Sequence, residues 1–171
     1  MSLITKKEKF LIIGSNSFSG AHFVNGLLKR GYKVWGTSRS EQPKKEFLPY
    51  FWNDSNEFTI KKNCENFLFR PYDLNNDLKD LISFIDDIEP EYIVNFAAQG
   101  MVAQSWENPV HWYKTNIISQ VALHDALRKR NFLKKYVHVT TPEVYGSTDK
   151  GWIKECFDFS PSTPYAVSLS L

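Results

Sequence analysis

Residues 10–30 read FLIIGSNSFSGAHFVNGLLKR. The apolar run 10–13 stops at a glycine, which is typical of a buried parallel strand. Residues 14–20 then form a turn rich in glycine and serine. A helix is expected from about residue 21 to 30, with Gly31 as its C-terminal cap. A strand, a turn of this kind and a helix, in that order, predict the first unit of a parallel α/β sheet.

The same alternation of strands and helices continues along the chain. Further strands are expected at 33–37, 67–73, 91–98 and 136–140, and helices at about 74–85 and 110–130. Between them, segment 41–63 lacks periodicity and predicts an irregular insertion. Because parallel strands need crossovers, which are right-handed and place helices on both faces, the fold class is α/β: a Rossmann-type doubly wound parallel sheet. Residues 1–171 are expected to form one domain with this fold.

Composition narrows the classes of function. The chain has 171 residues, 21 Lys+Arg against 19 Asp+Glu and 42% hydrophobic residues, so its bulk is not predicted to be disordered. A net charge of +2 gives no electrostatic reason to expect nucleic acid or a membrane surface as a partner. Cys64 and Cys156 lack CxxC spacing and the histidines are scattered, so no metal site is predicted. With neither a secretory signal nor a long apolar run, the expected location is cytoplasmic.

The turn after the first strand carries the first functional hypothesis. A glycine-containing turn before a helix lets the backbone approach a pyrophosphate, and the helix N-terminus supplies amide donors. Gly14 would make the tight turn and Gly20 would permit close packing of helix on strand. Ser17 replaces the usual middle glycine, and its hydroxyl could donate to a phosphate. The full predicted dinucleotide-binding turn is Gly14, Ser15, Asn16, Ser17, Phe18 and Gly20; the alternative is an ordinary strand–helix loop.

The end of the second strand indicates which dinucleotide is bound. An acidic residue there would accept a hydrogen bond from a ribose 2′-hydroxyl, whereas an arginine suits a 2′-phosphate. The sequence has Arg39 between two serines and no acid before Glu41. NADP is therefore favoured over NAD as the cofactor. The alternative is that Arg39 is a solvated surface residue.

Several motifs in a fixed order resemble the extended short-chain dehydrogenase/reductases that modify nucleotide sugars. Within that group the sequence is most similar to the NDP-sugar 4,6-dehydratases and the relatives of GDP-mannose 4,6-dehydratase. The similarity extends from residue 10 to about residue 168. It rests on the turn together with the motifs at 73–74, 95–99, 115–116, 140–146 and 164–168.

The resemblance implies a cofactor site at the carboxyl ends of the strands. Asp73 and Leu74 would flank the adenine, and Ala97, Ala98 and Gln99 would line the nicotinamide side. For the two alanines, plain helix–sheet packing is an equally good explanation. Asn116 would stabilise the active site from within its helix; a buried, hydrogen-bonded asparagine is the structural alternative, and both can hold.

The resemblance also implies a reaction. A sugar-nucleotide substrate would be modified by transient oxidation, 4,6-dehydration being favoured and epimerisation next. Thr141 would orient the sugar hydroxyl, Tyr165 would act as the base, and Glu143 would remove the proton beside the new ketone. A phenol needs a nearby cation to ionise near neutral pH.

Two positions and the length depart from the family pattern. Leu169 stands where the family has the lysine that assists the tyrosine, and Pro142 stands where an acid or a serine is found. Family members are considerably longer, and their remaining part builds the sugar-nucleotide pocket. We therefore expect this chain to lack the C-terminal substrate domain and to be inactive, although its parent protein is an enzyme. The alternative is a non-catalytic dinucleotide-binding module.

Aromatic residues of the 106–113 region leave the oligomeric state open. In this family the helix that carries Trp112 and Tyr113 often pairs across a homodimer. Burial of Trp106, Trp112 and Tyr113 within one chain is the simpler explanation.

Overall fold

A computed structural model describes residues 8–52, 65–147 and 151–170 of the chain. Cys64 and residues 53–63 of the expected insertion lie outside these ranges. The described part contains a five-stranded sheet with the strand order β3-β2-β1-β4-β5, and every neighbouring pair is parallel. The strands are β1 Lys9–Ile13, β2 Lys33–Ser38, β3 Phe67–Pro71, β4 Tyr92–Asn95 and β5 Lys135–His138. The predicted fold class is confirmed.

Six α-helices that lie wholly within the described residues cross between or follow these strands. They are α1 Phe18–Lys29, α2 Leu78–Ile88, α3 Gln104–Glu107, α4 Pro109–Tyr113, α5 Ser119–Leu127 and α6 Pro164–Ser168. The strand register aligns Ile13 with Thr37 on one side and with Asn95 on the other, and Asn95 with His138. The carboxyl ends of β2, β1, β4 and β5 therefore form one row. The order of strands reverses beside β1, where ligands of such sheets bind.

Alternate residues of β1 face opposite sides of the sheet, and each side has its own core. Leu11 and Ile13 pack with residues of α2 and α5, whereas Ile12 packs with residues of α1. Since both faces are covered, a continuous apolar strand is the pattern expected of β1. Helix α1 is amphipathic enough to bury Val24 and Leu28 against the sheet.

The segment predicted to be irregular contributes to the core. Residues Lys45–Phe47 and Pro49–Phe51 form two short 3-10 helices. Leu48 and Tyr50 are 1% and 3% exposed and join the core cluster beneath α1. Apart from these two short helices the described part of the segment is irregular, and Leu48 and Tyr50 enter the core although no periodicity in the sequence indicates it.

The predicted helix 110–130 is observed as one helical segment, residues 109–127, but it is not a uniform α-helix. Helix α4 passes through a π-helical turn, Lys114–Ile118, before α5 begins. Likewise, the helix expected from about residue 74 begins at Leu78. Before it, the Asp77 carboxylate accepts from the Asp73 amide at 2.8 Å, and the Asp73 carboxylate accepts from the Asn75 amide at 2.8 Å. These side-chain bonds hold the backbone in a turn.

Two features are absent from the described residues. None of the helices there is both long and apolar enough to cross a membrane. Within the same ranges, no three His, Cys, Asp or Glu side chains gather into a group that could hold a metal ion.

Candidate dinucleotide-binding site

Gly14 allows the turn after β1 to fit between the neighbouring strands. Its φ is +80°, and a β-carbon there would lie 2.7 Å from the Ala97 nitrogen. The amides of Gly14 and Ser15 both donate to the Thr37 carbonyl, at 2.8 and 3.1 Å. Only glycine combines this backbone conformation with such a close approach. The turn is thereby fixed to the ends of β2 and β4.

Ser17 caps helix α1, and its hydroxyl is committed within the turn. The hydroxyl donates to the Gly14 carbonyl at 2.8 Å and accepts from the Gly20 amide at 3.1 Å. This is the normal use of a serine at a helix N-cap. The expectation that Ser17 could donate to a phosphate is therefore wrong for this conformation, because the only hydroxyl proton is already used.

The remaining turn residues have different surroundings. Ser15 is fully buried, and its hydroxyl donates to the Thr37 carbonyl at 3.4 Å. Its side chain therefore attaches the turn to the end of β2. Gly20 faces the Gly14 carbonyl so closely that a β-carbon would lie 2.2 Å from it. Phe18 is 81% exposed. The predicted role of Gly20 in close helix–strand packing matches this geometry.

A cleft of about 300 Å³ lies along the carboxyl ends of the strands. It brings together residues from the turn and from the ends of β2, β3 and β4. The predicted cofactor-binding residues that line it are Gly14, Asn16, Ser17, Arg39, Asp73, Leu74, Ala97, Ala98 and Gln99. Arg39 is exposed and flanked in the cleft by Ser38 and Ser40.

The cleft also contains Asn75, which the sequence did not indicate. Asn75 lines it and connects two elements: its amide nitrogen donates to the Thr115 hydroxyl at 3.0 Å, and its oxygen accepts from Ser119 at 2.7 Å. Thr115 also lines the cleft. Their contacts join the loop after β3 to the helix after β4, a long-range pairing that no local pattern encodes.

The loop after β4 rests on a buried asparagine. The Asn95 side chain accepts from the Ala97 amide at 2.8 Å and donates to Gln120 at 2.7 Å and to the Tyr136 hydroxyl at 2.8 Å. Gln120 in turn donates to the Ala97 carbonyl at 3.1 Å. Ala97 is thus held at both its amide and its carbonyl, which fixes the part of the cleft assigned to the nicotinamide side.

Burial favours the uncharged form of two titratable groups next to Asn95. Burial raises the pKa of Tyr136 to about 12, although its hydrogen bond with Asn95 acts in the opposite direction. Burial, and to a lesser extent the charge of nearby His124, lowers the pKa of His138. The Nδ1 of His138 lies 3.4 Å from the Asn95 amide nitrogen, whose two hydrogens are already donated to Gln120 and Tyr136. Both pKa shifts thus favour uncharged groups beside the asparagine that supports Ala97.

Asn116 connects the loop after β4 to α6. Its oxygen accepts from the Gln99 amide at 2.7 Å, and its nitrogen donates to the Gln99 carbonyl at 3.1 Å and the Ser168 hydroxyl at 2.8 Å. Asn116 is 5% exposed and lies in the π-helical turn. It is a buried, hydrogen-bonded asparagine, and the position of these bonds is compatible with the stabilising role that the resemblance implies.

A second cavity of about 310 Å³ adjoins the turn on the side of β5. Tyr165 and Leu169 line it together with Phe18 and Ala98. The Tyr165 amide donates to the fully buried Ser105 hydroxyl at 3.1 Å, which anchors the start of α6. No lysine, arginine or histidine is among the described residues that line this cavity. Tyr165 therefore lies beside the first cleft, with a buried leucine, Leu169, in the same cavity.

The structure does not bring the three predicted catalytic residues together in this cavity. Thr141 and Glu143 belong to the 3-10 turn Pro142–Tyr145 and its N-cap, where the Thr141 hydroxyl accepts from the Glu143 amide at 3.3 Å. Glu143 is exposed, and neither residue lines the cavity of Tyr165. Thr140, the first residue of the 140–146 motif, does line it and donates to the Leu169 carbonyl at 2.6 Å.

Comparison with known proteins assigns this arrangement to a family. Residues 11–169 match the family model described as GDP-mannose 4,6 dehydratase. The chain belongs to the GDP-mannose 4,6-dehydratase family. The resemblance inferred from the ordered motifs is thereby confirmed.

Relatives of this family share sequence and fold with the chain. A GDP-mannose 4,6-dehydratase of Vibrio cholerae is 28% identical over 165 residues, which are 95% of this chain and 43% of that protein. The structure of a UDP-N-acetylglucosamine 4-epimerase from Methanobrevibacter ruminantium, in complex with UDP-N-acetylmuramic acid, has a TM-score of 0.77 at 26% identity. A Thermus thermophilus UDP-glucose 4-epimerase in complex with NAD has a TM-score of 0.75 at 25% identity.

The matches cover nearly all of this chain but under half of each family relative. The match to the Methanobrevibacter structure includes 97% of this chain and 48% of that one. The match to the Thermus structure includes 95% of this chain and 47% of that one. The aligned region contains the sheet, the turn and the cleft.

Proposed function

We propose that the chain is the dinucleotide-binding part of an enzyme that modifies a nucleotide-activated sugar by transient oxidation. NADP is the preferred cofactor and 4,6-dehydration the preferred reaction, with epimerisation next. The observation that carries this proposal is the cleft itself. Its walls come from the glycine turn, the Arg39 segment and the loop after β4, on a sheet of this family.

The cleft residues suit a dinucleotide. Gly14 and Gly20 carry no side chain, so at these two positions a diphosphate could approach the backbone of the turn and the N-terminus of α1. Arg39, between two serine hydroxyls, offers donors for a phosphate dianion. The Asp73 carboxylate provides acceptors at the far end, where the resemblance places the adenine.

The chemistry would take place beside Tyr165. Ala97, Ala98 and Gln99 would hold a nicotinamide next to this cavity, and the chemistry supplied there would be uptake and later return of a hydride of the sugar. Tyr165 would remove the hydroxyl proton, and Glu143 would act on the proton next to the ketone once substrate brings the turn at 142–145 against the cavity. Dehydration is favoured because relatives are named GDP-mannose and dTDP-glucose 4,6-dehydratases. Pro142 supplies no acid, so the leaving hydroxyl would be protonated by another group.

The function is tested by binding and by product formation. NADP and NAD are titrated into the purified chain by calorimetry. The chain, and any longer product of its reading frame, is then incubated with GDP-mannose or dTDP-glucose, and the base-treated mixture is assayed for the absorbance of a keto sugar. Binding followed by keto-sugar formation supports the proposal. Failure to bind either dinucleotide contradicts it.

Arg39 provides a direct test of the choice of cofactor. Replacing Arg39 with Asp should weaken NADP binding by about 100-fold, because a charge-assisted contact with the 2′-phosphate is replaced by repulsion. NAD binding should change by less than about threefold, since no contact with a free hydroxyl is lost. Calorimetric titration of both cofactors into both proteins measures this. Equal losses for NADP and NAD would contradict the assignment of Arg39.

A second candidate function is a non-catalytic dinucleotide-binding module. The buried Leu169 favours it, because this side chain lines the cavity of Tyr165 and cannot stabilise a phenolate. Tight NADP binding without any keto-sugar product, in the chain and in any longer form, would support this candidate against the enzyme.

A further inference from the structure

Asn16 connects the phosphate turn to the segment after β2. Its backbone amide donates to the Ser38 hydroxyl at 3.0 Å. Its side-chain nitrogen donates to the carbonyls of Ser40 and Glu41, both at 3.1 Å. Three hydrogen bonds from one residue therefore hold the chain on both sides of Arg39.

The side-chain orientation of Asn16 is set by these donated bonds. Its oxygen is buried and has no hydrogen-bond partner among the described residues. Burying an acceptor without a donor is unfavourable. The two bonds that the nitrogen donates to the carbonyls of Ser40 and Glu41 must therefore outweigh this cost and fix the orientation of the amide. A reversed amide would bring its oxygen against both carbonyls. The connection between the turn and the segment after β2 therefore depends on an NH₂ group at position 16.

Arg39 lies between the two anchor points, Ser38 and Ser40, and all three residues line the cleft together with Asn16. A flexible, exposed arginine loses conformational entropy when it binds a phosphate. A backbone that is already fixed reduces that loss and so increases the affinity. We infer that Asn16 is a positioning residue that fixes the Arg39 segment and thereby sets the preference for an adenosine carrying a 2′-phosphate. This inference rests on the proposed NADP site.

The test uses two fragments of the cofactor as probes. Adenosine 2′,5′-bisphosphate carries the additional phosphate and adenosine 5′-monophosphate does not. Asn16→Ala should lower the affinity for the bisphosphate about tenfold and that for the monophosphate less than about twofold. Asn16→Asp, which keeps the size but loses both donors and adds negative charge, should lower the bisphosphate affinity further. Calorimetric titration gives both constants for each protein.

A matched control separates positioning from general damage. Asn131→Ala makes the same chemical change at an exposed residue that does not line the cleft, and it should leave both affinities unchanged. If Asn16→Ala weakens both probes equally, or neither, Asn16 does not set the preference and the inference is wrong. If the unaltered chain already binds both probes equally, it is the proposed NADP preference that fails.

Discussion

Replacing Gly20 with alanine is expected to destabilise the purified chain by about 3 kcal/mol, at the upper end of what overpacking usually costs. The added β-carbon would lie 2.2 Å from the Gly14 carbonyl oxygen and 2.9 Å from the Ser17 hydroxyl. Backbone atoms cannot move aside as the end of a flexible side chain can. The Gly14 carbonyl also accepts from the amide and the hydroxyl of Ser17, so its displacement would break the turn that begins α1.

Gly26, in the same helix, provides the control. A β-carbon there would meet only the end of the Arg30 side chain, at 3.4 Å. Because alanine is the better helix former, Gly26→Ala should stabilise the chain by about 0.5–1 kcal/mol. Equilibrium unfolding in urea measures both changes, and calorimetry with NADP shows whether the turn still binds. Similar stability of the two variants would mean that α1 does not pack as closely on the turn as described.

The sequence allowed the path of the sheet and the position of the cleft to be predicted, because both depend on local patterns. Short apolar runs followed by glycine or polar residues mark the strands, and parallel strands bring their carboxyl ends to one row. The predicted residues Gly14, Arg39, Asp73 and Ala97 consequently line one cleft, although they are distant in the chain.

What the sequence could not show depends on contacts between distant segments. Leu48 and Tyr50 are buried only because the chain after β2 returns to α1, and nothing in their spacing indicates it. The π-helical turn places Asn116 against Gln99, a pairing that helical periodicity cannot show. Ser17 looked like a phosphate donor, but a serine at a helix N-cap binds the backbone around it first.

Asn95 illustrates how the fold and the candidate site depend on the same residue. It is completely buried at the end of β4, and its one side chain joins Ala97 of the cleft, Gln120 of α5 and Tyr136 of β5. Asn95→Ala would leave the Ala97 amide and the Gln120 oxygen without their partner. Each unsatisfied buried group costs about 1–3 kcal/mol, so the variant should be destabilised by about 3 kcal/mol. NADP affinity should fall at least about tenfold, because Ala97 loses one of its two anchors.

A double-mutant cycle with Gln120→Ala separates the network from the loss of a single side chain. Gln120 holds the Ala97 carbonyl while Asn95 holds its amide, so removing both should cost at least about 1 kcal/mol less than the sum of the single losses. Urea unfolding of the four proteins gives the coupling free energy, and NADP titration gives the coupling in affinity. Additive effects on both would show that the two side chains act independently, and Ala97 would then owe its position to packing between β4 and α5. Coupling in stability but not in affinity would show that the network stabilises the fold without affecting binding. The position of Ala97 would then not determine how the proposed nicotinamide side of the cleft binds.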